Sequence, residues 1–574
     1  MLNSNLLWGS IVAEELYLAG VRLVCISPGS RSTPLVWGLA KLREIRPDLQ
    51  LVVHLDERNA GFFALGYAKR TRTLPALVCT SGTAPAHYFP AIIEAHLSLI
   101  PLLVLTADRP PSLRDCGAPQ TSDQIKLYGN QVRYFCDVGL PHGDQEHIRG
   151  LRHTLRRGIA IAKGNLGTPP GPVHLNFPFP EPLVDQPDLA YPFLQREATN
   201  YTAYASRPEL SQETLADIAQ KIQQCPHGVI ILGVGNFPER MGALLQELSD
   251  RTGYPVLAEA IGLRQPRFIT HYDSFLRSPT FCHAHAPQLV LRFGGMPTSK
   301  SLSQWLGQHL NQWQEIAIGQ TFSNPLGGNT YSLNCEPVIF LEALNQQLTR
   351  CSPSSWWKHN FLTAEAKATH ITREFTKQVD YLWEGTIYQT LSDHLPLGTC
   401  LYVANSMPTR DLDTFFHSHQ HIKVLANKGA NGIDGTISSA LGAAFHAPDP
   451  TVLICGDIAF YHDLNSLFTA HKYQIKLTIL LLNNNGGGIF HYLAITQHDP
   501  PFTEFFSTPH NLDFAQLVSA FGCAYRLITN SLELKQEMEL IPYQTGTKVL
   551  EIKIDPHHSS TLHHQLWHTL SQMI

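Results

Sequence analysis

The sequence predicts an α/β protein of three doubly wound parallel-sheet domains, over residues 1–185, 205–350 and 358–574. Three observations predict it. Short, partly β-branched apolar runs alternate with helical patterns along most of the chain, the rhythm of βαβ units. Two polar stretches, Glu181–Pro208 with several prolines and Cys351–Lys358, interrupt that rhythm and read as breaks. At 574 residues the chain is also too long for one core.

In the first segment Val21–Ser27 reads as a strand with a helix from Thr33, and Gln50–Leu55 as a strand with a helix from Asn59. A strand Ala76–Thr80, a helix Ala84–Leu97 and strands Pro101–Thr106 and Val173–Phe177 follow. The second segment runs from a helix Leu210–Gln224 and a strand Gly228–Leu232 to about Leu348. Its GVGN turn at 233–236 is assigned to packing, because a lone G-x-G is weak evidence for a dinucleotide.

The third segment centres on Thr451–Phe490. Thr451–Cys455 and Leu477–Leu482 are strands by their apolar runs, and Tyr461–Lys472 carries Leu464, Leu467 and Phe468 at helical spacing. That is a right-handed βαβ unit, whose ligands belong at the carboxyl ends of the strands. The first and third segments share one layout, as duplicated halves would.

Asp457 stands just past the first of these strands and Asn483, Asn484 and Asn485 just past the second. A carboxylate, a side-chain amide and a carbonyl of a glycine-rich turn make an oxygen-only shell that suits Mg²⁺. Gly486, Gly487 and Gly488 let backbone approach a diphosphate. The same residues also fit a capped helix and a polar turn. Three loops of the first segment add chemistry. SPGSRSTPL (27–35) opens a helix and turns its amides and Arg31 toward an anion. HLDERNAGFFALGYAK (54–69) places Glu57 at a strand end, and TADRPPSLRDCGAPQTSDQ (106–124) holds Arg109, Arg114 and Gln120 in a long loop.

Composition excludes several classes. A net charge of −5 gives no support to nucleic-acid or polybasic membrane binding. No apolar run approaches the ~18 residues of a membrane span, and the Trp8–Leu18 helix pattern is not a signal peptide. Eleven cysteines lack a C-x-x-C pair, and Cys25, Cys79 and Cys455 fall inside apolar strands, so the chain reads as reducing and cytosolic. The cluster His417, His419, His421 and the pairs His557–His558 and His563–His564 read as surface positions.

Taken together, the blocks resemble one family. SPGSRSTPL, DER…GFFALGYAK, TSGTAPAHYFPAIIEA, TADRPP…DCGAPQ, NSMPTRDLD, NKGANGIDG and GDIAFYHDLNSL…NNNGGGIF are similar to the 2-succinyl-5-enolpyruvyl-6-hydroxy-3-cyclohexene-1-carboxylate (SEPHCHC) synthases, thiamine-diphosphate enzymes of menaquinone and phylloquinone biosynthesis. These blocks cover most of the first and third segments, and GGMPTSKSLSQW (294–305) carries the match in the middle one. The resemblance implies pyrimidine-binding, central and diphosphate-binding domains, with thiamine diphosphate and Mg²⁺ (or Mn²⁺) as cofactors. It implies a transferase that decarboxylates 2-oxoglutarate and adds the succinyl carbanion to isochorismate. It further implies a homodimer or homotetramer with the cofactor between the first segment of one chain and the third of its neighbour.

By the same resemblance Glu57 hydrogen-bonds N1′ of the aminopyrimidine, and Ile433 sits under the cofactor. Asp457, Asn484 and the Gly486 carbonyl hold the metal, and Asn405, Ile489 and Phe490 complete the cofactor site. Arg31, Arg109, Lys300, Arg410 and Lys428 hold substrate carboxylates, and Ser30, Gln120 and Ser406 join Glu57 and Arg31 as catalytic residues. The chain departs from the family pattern in places. Lys428 replaces a frequent Arg and lacks its bidentate fork. Ser301 and Pro119 stand where some members carry Arg and Asn, and Ile458 makes GDI of GDG. Two alternatives are another thiamine-diphosphate 2-oxoacid decarboxylase or synthase, and a non-catalytic nucleotide-binding α/β protein. The cationic set argues against a pyruvate enzyme, and the intact Glu57, Asp457 and Asn484 argue against a silent protein.

Overall fold

The structure is a computed structural model that describes residues 3–185, 191–193, 208–235, 237–263, 265–319, 323–348, 355–417 and 422–574. Most of the expected linker 181–208, residues 351–354 of the expected break, and His419 and His421 lie outside the described residues. From Ser355 the chain is helical to Lys377, so the second half of that break is the start of a helix.

Three parallel sheets follow one another. The first holds β1 (Leu23–Ile26), β2 (Gln50–Val53), β3 (Ala76–Cys79), β4 (Leu102–Asp108), β5 (Tyr134–Asp137) and β6 (Pro172–Pro178), in the order 2-1-3-4-6-5. The second holds β7 (Gly228–Leu232), β8 (Val256–Ala258), β9 (Leu289–Phe293), β10 (Gln314–Gly319) and β11 (Thr330–Asn334), in the order 11-10-9-7-8. The third holds β12 (Cys400–Val403), β13 (Lys423–Ala426), β14 (Thr451–Gly456), β15 (Leu477–Asn483), β16 (Ala524–Ile528) and β17 (Thr547–Lys553), in the order 13-12-14-15-17-16. The first and third orders are the same, the duplicated layout that the sequence suggested. Interior strands β1, β3 and β4 are buried along their whole length, whereas edge strands β11 and β16 are partly exposed. Burial on both faces is why the interior strands read as unbroken apolar runs.

Five helices position the site: α1 (Glu57–Thr71), α2 (Phe89–Leu97), α3 (Met407–Phe415), α4 (Thr436–Ala444) and α5 (Asp457–His462). Helix α1 starts two residues earlier than expected because Asp56 caps it, its carboxylate accepting the Arg58 amide at 2.8 Å. The expected helix Ala84–Leu97 is split at Tyr88, just before Pro90. The expected helix Tyr461–Lys472 is likewise broken. Asp463 ends α5 because its buried carboxylate is taken by Ser438 N at 2.6 Å, Ser438 Oγ at 2.9 Å and Asn59 Nδ2 at 2.6 Å. Burial pushes that carboxyl up to about 7.

One apolar core is shared by the first and third sheets, and α1 against α4 is its centre. Small residues bring the two backbones together: a Cβ on Gly66 would stand 1.8 Å from the Ser439 carbonyl oxygen, and one on Gly442 1.9 Å from that of Phe63. Because the obstacle is backbone, Gly66→Ala is expected to lower stability by about 1–3 kcal/mol. Thermal unfolding measures this, and an unchanged midpoint would mean that the helices can separate without cost. A second core joins the central and third sheets. The 233–235 turn is packed, as expected, with Gly233 N donating to Phe293 O at 3.0 Å.

Two histidine assignments change. His563 is buried, because Leu566 and Leu570 put its face of the helix Pro556–Met573 inward, and its Nε2 meets Asp411 Oδ1 at 3.0 Å. His417 is buried too, its ring 5.6 Å from that of His271. Cys25, Cys79 and Cys455 are fully buried, as expected, and burial pushes their thiols up.

Candidate active site

Every site residue of the first domain lies past the carboxyl end of one of its strands. Ser30 and Arg31 follow β1, Glu57 follows β2, and Arg109 and Gln120 follow β4. Glu57 is the first residue of α1 and is half-buried. Burial raises its carboxyl above the usual glutamate range, against the pull of its own amide and of His87. Among the described residues, no other residue hydrogen-bonds that carboxylate. Arg31 is buried, its Nη1 donating to Phe179 O at 2.8 Å and its Nη2 paired with the exposed Glu181 at 2.9 Å. Burial first, and then the neighbouring Arg109, lower its pKa. Arg31 and Arg109 thus put two positive charges in one neighbourhood, one of them already paired with Glu181. Gln120 sits at φ 54° and is pinned to Ser81, its Nε2 donating to Ser81 O at 3.2 Å. Arg114 is committed elsewhere, to Asp108 at 2.8 Å and Asp137 at 3.1 Å.

The third domain repeats this arrangement. Asn405, Ser406 and Arg410 follow β12, Lys428 and Ile433 follow β13, Asp457 follows β14, and Asn484, Gly486, Ile489 and Phe490 follow β15. Asp457 is 1% exposed, with Oδ2 accepting Gly486 N at 2.9 Å. Burial pushes the Asp457 carboxyl up, opposed by that amide and by His510, whose Nε2 lies 3.1 Å from the same oxygen. His510 had no sequence signal, being 53 positions from its partner. The Asn484 Oδ1 atom is buried and without a hydrogen-bond partner, although Asn484 lies in the same turn. An orphaned amide oxygen in the turn whose Gly486 amide binds a buried carboxylate offers the oxygen donors of a hard cation, so these residues fit Mg²⁺. Gly486, at φ 144°, and Gly488 keep the turn tight. A Cβ on Gly486 would stand 2.0 Å from Ser507 O, and one on Gly488 2.0 Å from Asn484 Nδ2.

Asn405 donates from Nδ2 to Asn427 O and Gly432 O, both at 2.6 Å, while its Oδ1 is buried without a partner. Ser406 has φ 75° and ψ −136°, a backbone conformation that non-glycine residues rarely adopt and that collects at functional sites. Arg410 is exposed and donates to Ser406 O at 2.9 Å. Lys428 is buried, its Nζ donating to Thr409 Oγ1 at 3.2 Å. Burial lowers its pKa, with Glu259 and then Asp413 pulling it back up. Glu259 comes from the central domain, and the sequence reading missed it. Ile433 packs on the edge of the shared core, and the Phe490 ring lies 5.4 Å from Phe506. Lys300 begins the helix Lys300–Gln308 of the central domain and is exposed.

The chain is alike to proteins already named. Models described as the N-terminal TPP binding domain, the middle domain and the C-terminal TPP binding domain of thiamine pyrophosphate enzymes match residues 8–127, 193–403 and 407–552. A SEPHCHC synthase of Geobacillus kaustophilus is 38% identical, over 99% of this chain and 98% of its own length. One from Roseiflexus castenholzii is 41% identical over 97% of each. The chain belongs to the SEPHCHC synthase family. As a member of that family of thiamine diphosphate enzymes, it has a cofactor to which the strand-end residues above can be matched. An X-ray structure of an enzyme from Mycobacterium smegmatis, assigned as thiamin diphosphate-dependent, aligns with a TM-score of 0.70. It covers 96% of this chain and 99% of its own at 17% identity, so it bears on the fold alone. Among the described residues no helix is long and apolar enough to cross a membrane.

Proposed function

We propose that the chain joins 2-oxoglutarate to isochorismate, releasing CO₂ and forming SEPHCHC on the route to menaquinone or phylloquinone. The observation that carries this reading is the orphaned Asn484 oxygen in the turn that binds buried Asp457, in a chain alike over its whole length to named synthases. Bound thiamine diphosphate supplies the electron sink for decarboxylation and carbon–carbon bond formation. Asp457, Asn484 and the Gly486 carbonyl hold Mg²⁺ (or Mn²⁺) on the diphosphate, with Asn405, Ile433, Ile489 and Phe490 around the cofactor. Glu57 holds a proton at N1′ of the pyrimidine. Arg31, Arg109, Lys300, Arg410 and Lys428 bind the carboxylates of the two substrates, and Ser30, Gln120 and Ser406 orient them. The domains are the pyrimidine-binding 1–185, the central 205–350 and the diphosphate-binding 358–574. The working form is a cytoplasmic homodimer or dimer of dimers.

The test is mass spectrometry of product from 2-oxoglutarate and isochorismate. The adduct is expected only when thiamine diphosphate and Mg²⁺ are both present. Product without the cofactor, or none with it, would overturn the reading, and equal use of pyruvate would favour a different 2-oxoacid enzyme. Arg410→Ala is expected to lower kcat/KM for a dicarboxylate by about 30–150-fold, the loss of a charge-assisted contact worth ~2–3 kcal/mol. Affinity for thiamine diphosphate should stay within a few-fold. An effect under about threefold would remove Arg410 from the substrate site.

A further inference from the structure

Two charged residues of the first domain that the proposed site does not use are buried. Lys69, in the last turn of α1, is 6% exposed, and Glu94, in α2, is 2% exposed. They form an ion pair at 2.9 Å. Ser98 apart, their further partners belong to one stretch of the third domain, the end of β13 and the loop after it. Lys69 Nζ also donates to Ala426 O at 2.8 Å and to Asn427 Oδ1 at 3.0 Å. Glu94 accepts Gly429 N at 2.9 Å through Oε1 and Ala430 N at 2.7 Å through Oε2, with Ser98 Oγ at 2.6 Å.

All three ammonium protons and both carboxylate oxygens are therefore used. The anchors fall on the two residues before Lys428 and the two after it. Gly429 is pressed against α2, where a Cβ would stand 2.7 Å from both Glu94 O and Ser98 Oγ. On the other side Asn427 is held by Tyr402 OH at 2.7 Å and by Ser439 Oγ, to which its Nδ2 donates at 3.0 Å. Lys428 is the residue between the clamps, free to project toward Thr409.

A buried ion pair is a poor device for stability alone, because well-packed apolar residues serve as well or better. The α1–α4 contact already joins the two domains. What an apolar pair could not do is fix two carbonyl-side and two amide-side points of one loop at once. We propose that Lys69 and Glu94 are positioning residues that clamp the 426–430 loop and so set the aim of Lys428. The proposal rests on the reading of Lys428 as a substrate cation.

The test compares Glu94→Gln in the wild-type background and in a Lys428→Ala background. Glutamine keeps the shape of Glu94 but loses the charge and one acceptor. In the wild-type background KM is expected to rise at least tenfold for the dicarboxylate that Lys428→Ala also affects. The dissociation constant for thiamine diphosphate should move less than threefold. In the Lys428→Ala background the same change should add less than twofold, because the cation it aims is gone. A tenfold loss in both backgrounds would make Glu94 a general structural residue and overturn the proposal, as would a loss under threefold in the first.

If Glu94→Gln does not fold, Ser98→Ala decides. It removes one hydrogen bond to Glu94 and should raise the same KM two- to fivefold, only where Lys428 is present; no rise overturns the proposal. Hydrogen exchange of the Gly429 and Ala430 amides gives a readout independent of turnover. It should quicken at least tenfold in whichever variant folds, and unchanged exchange overturns the clamp. Absence of product from the wild-type protein, with the amides protected, would instead count against the proposed reaction.

Discussion

Glu57→Gln is expected to lower turnover by about a thousandfold or more, while thiamine diphosphate still binds. The structure supplies the reason for each half. Glu57 opens α1 at the end of β2, and burial raises its carboxyl, which suits the proposed proton at the pyrimidine nitrogen. Glutamine has the same shape and no such proton to exchange. The diphosphate and its metal are matched to Asp457, Asn484 and Gly486, in a different domain, so their hold on the cofactor is left intact. Proton exchange at C2 of the bound thiazolium, followed by NMR in deuterated buffer, measures the chemical half. Calorimetric titration with thiamine diphosphate measures the binding half. Exchange within tenfold of the wild-type rate would remove Glu57 from the mechanism.

What the sequence made legible was whatever repeats locally. Strands buried on both faces show as apolar runs, so β1, β3, β14 and β15 could be placed within a residue or two, and the loops after them followed. Asp457, Asn484 and the glycines around them were legible because turn chemistry and a donor set coincide in one short stretch. What stayed hidden depends on contacts between distant residues. The helix drawn over 461–472 has good apolar spacing, yet the tertiary bonds of Asp463 to Asn59 and Ser438 end it. His563 reads as polar until its helix is seen to turn it against Asp411. Arg31 and Arg114 look alike in sequence, but Arg114 is locked between two aspartates while Arg31 pairs with the exposed Glu181 and lies within the field of Arg109. Family likeness, not periodicity, pointed to the candidate substrate cations.

Mixing two inactive variants, Glu57→Gln and Asp457→Ala, is expected to restore about a quarter of wild-type activity. Within one chain the start of α1 docks on the far end of α5. Arg58 Nη2 donates to the His462 carbonyl, Asn465 Nδ2 donates to Asp56 at 2.7 Å, and Asn59 Nδ2 donates to Asp463 at 2.6 Å. Asp457 is the first residue of α5, about one and a half helical turns from that contact. The in-chain seam between α1 and α4 is drawn tight at Gly66 and Gly442, where an added Cβ would meet the opposing backbone. A second chain, related by a two-fold axis, would bring its own Glu57 to this Asp457 and receive the reverse. In a mixed dimer one site then collects both lesions and the other collects neither. Random pairing at equal amounts makes about half the dimers mixed, each with one healthy site of two. Activity after co-refolding or co-expression, with subunit exchange confirmed by differently tagged chains, is the measurement. Exchange without recovered activity would mean that each chain builds its own site, and the dimer would lose its functional basis.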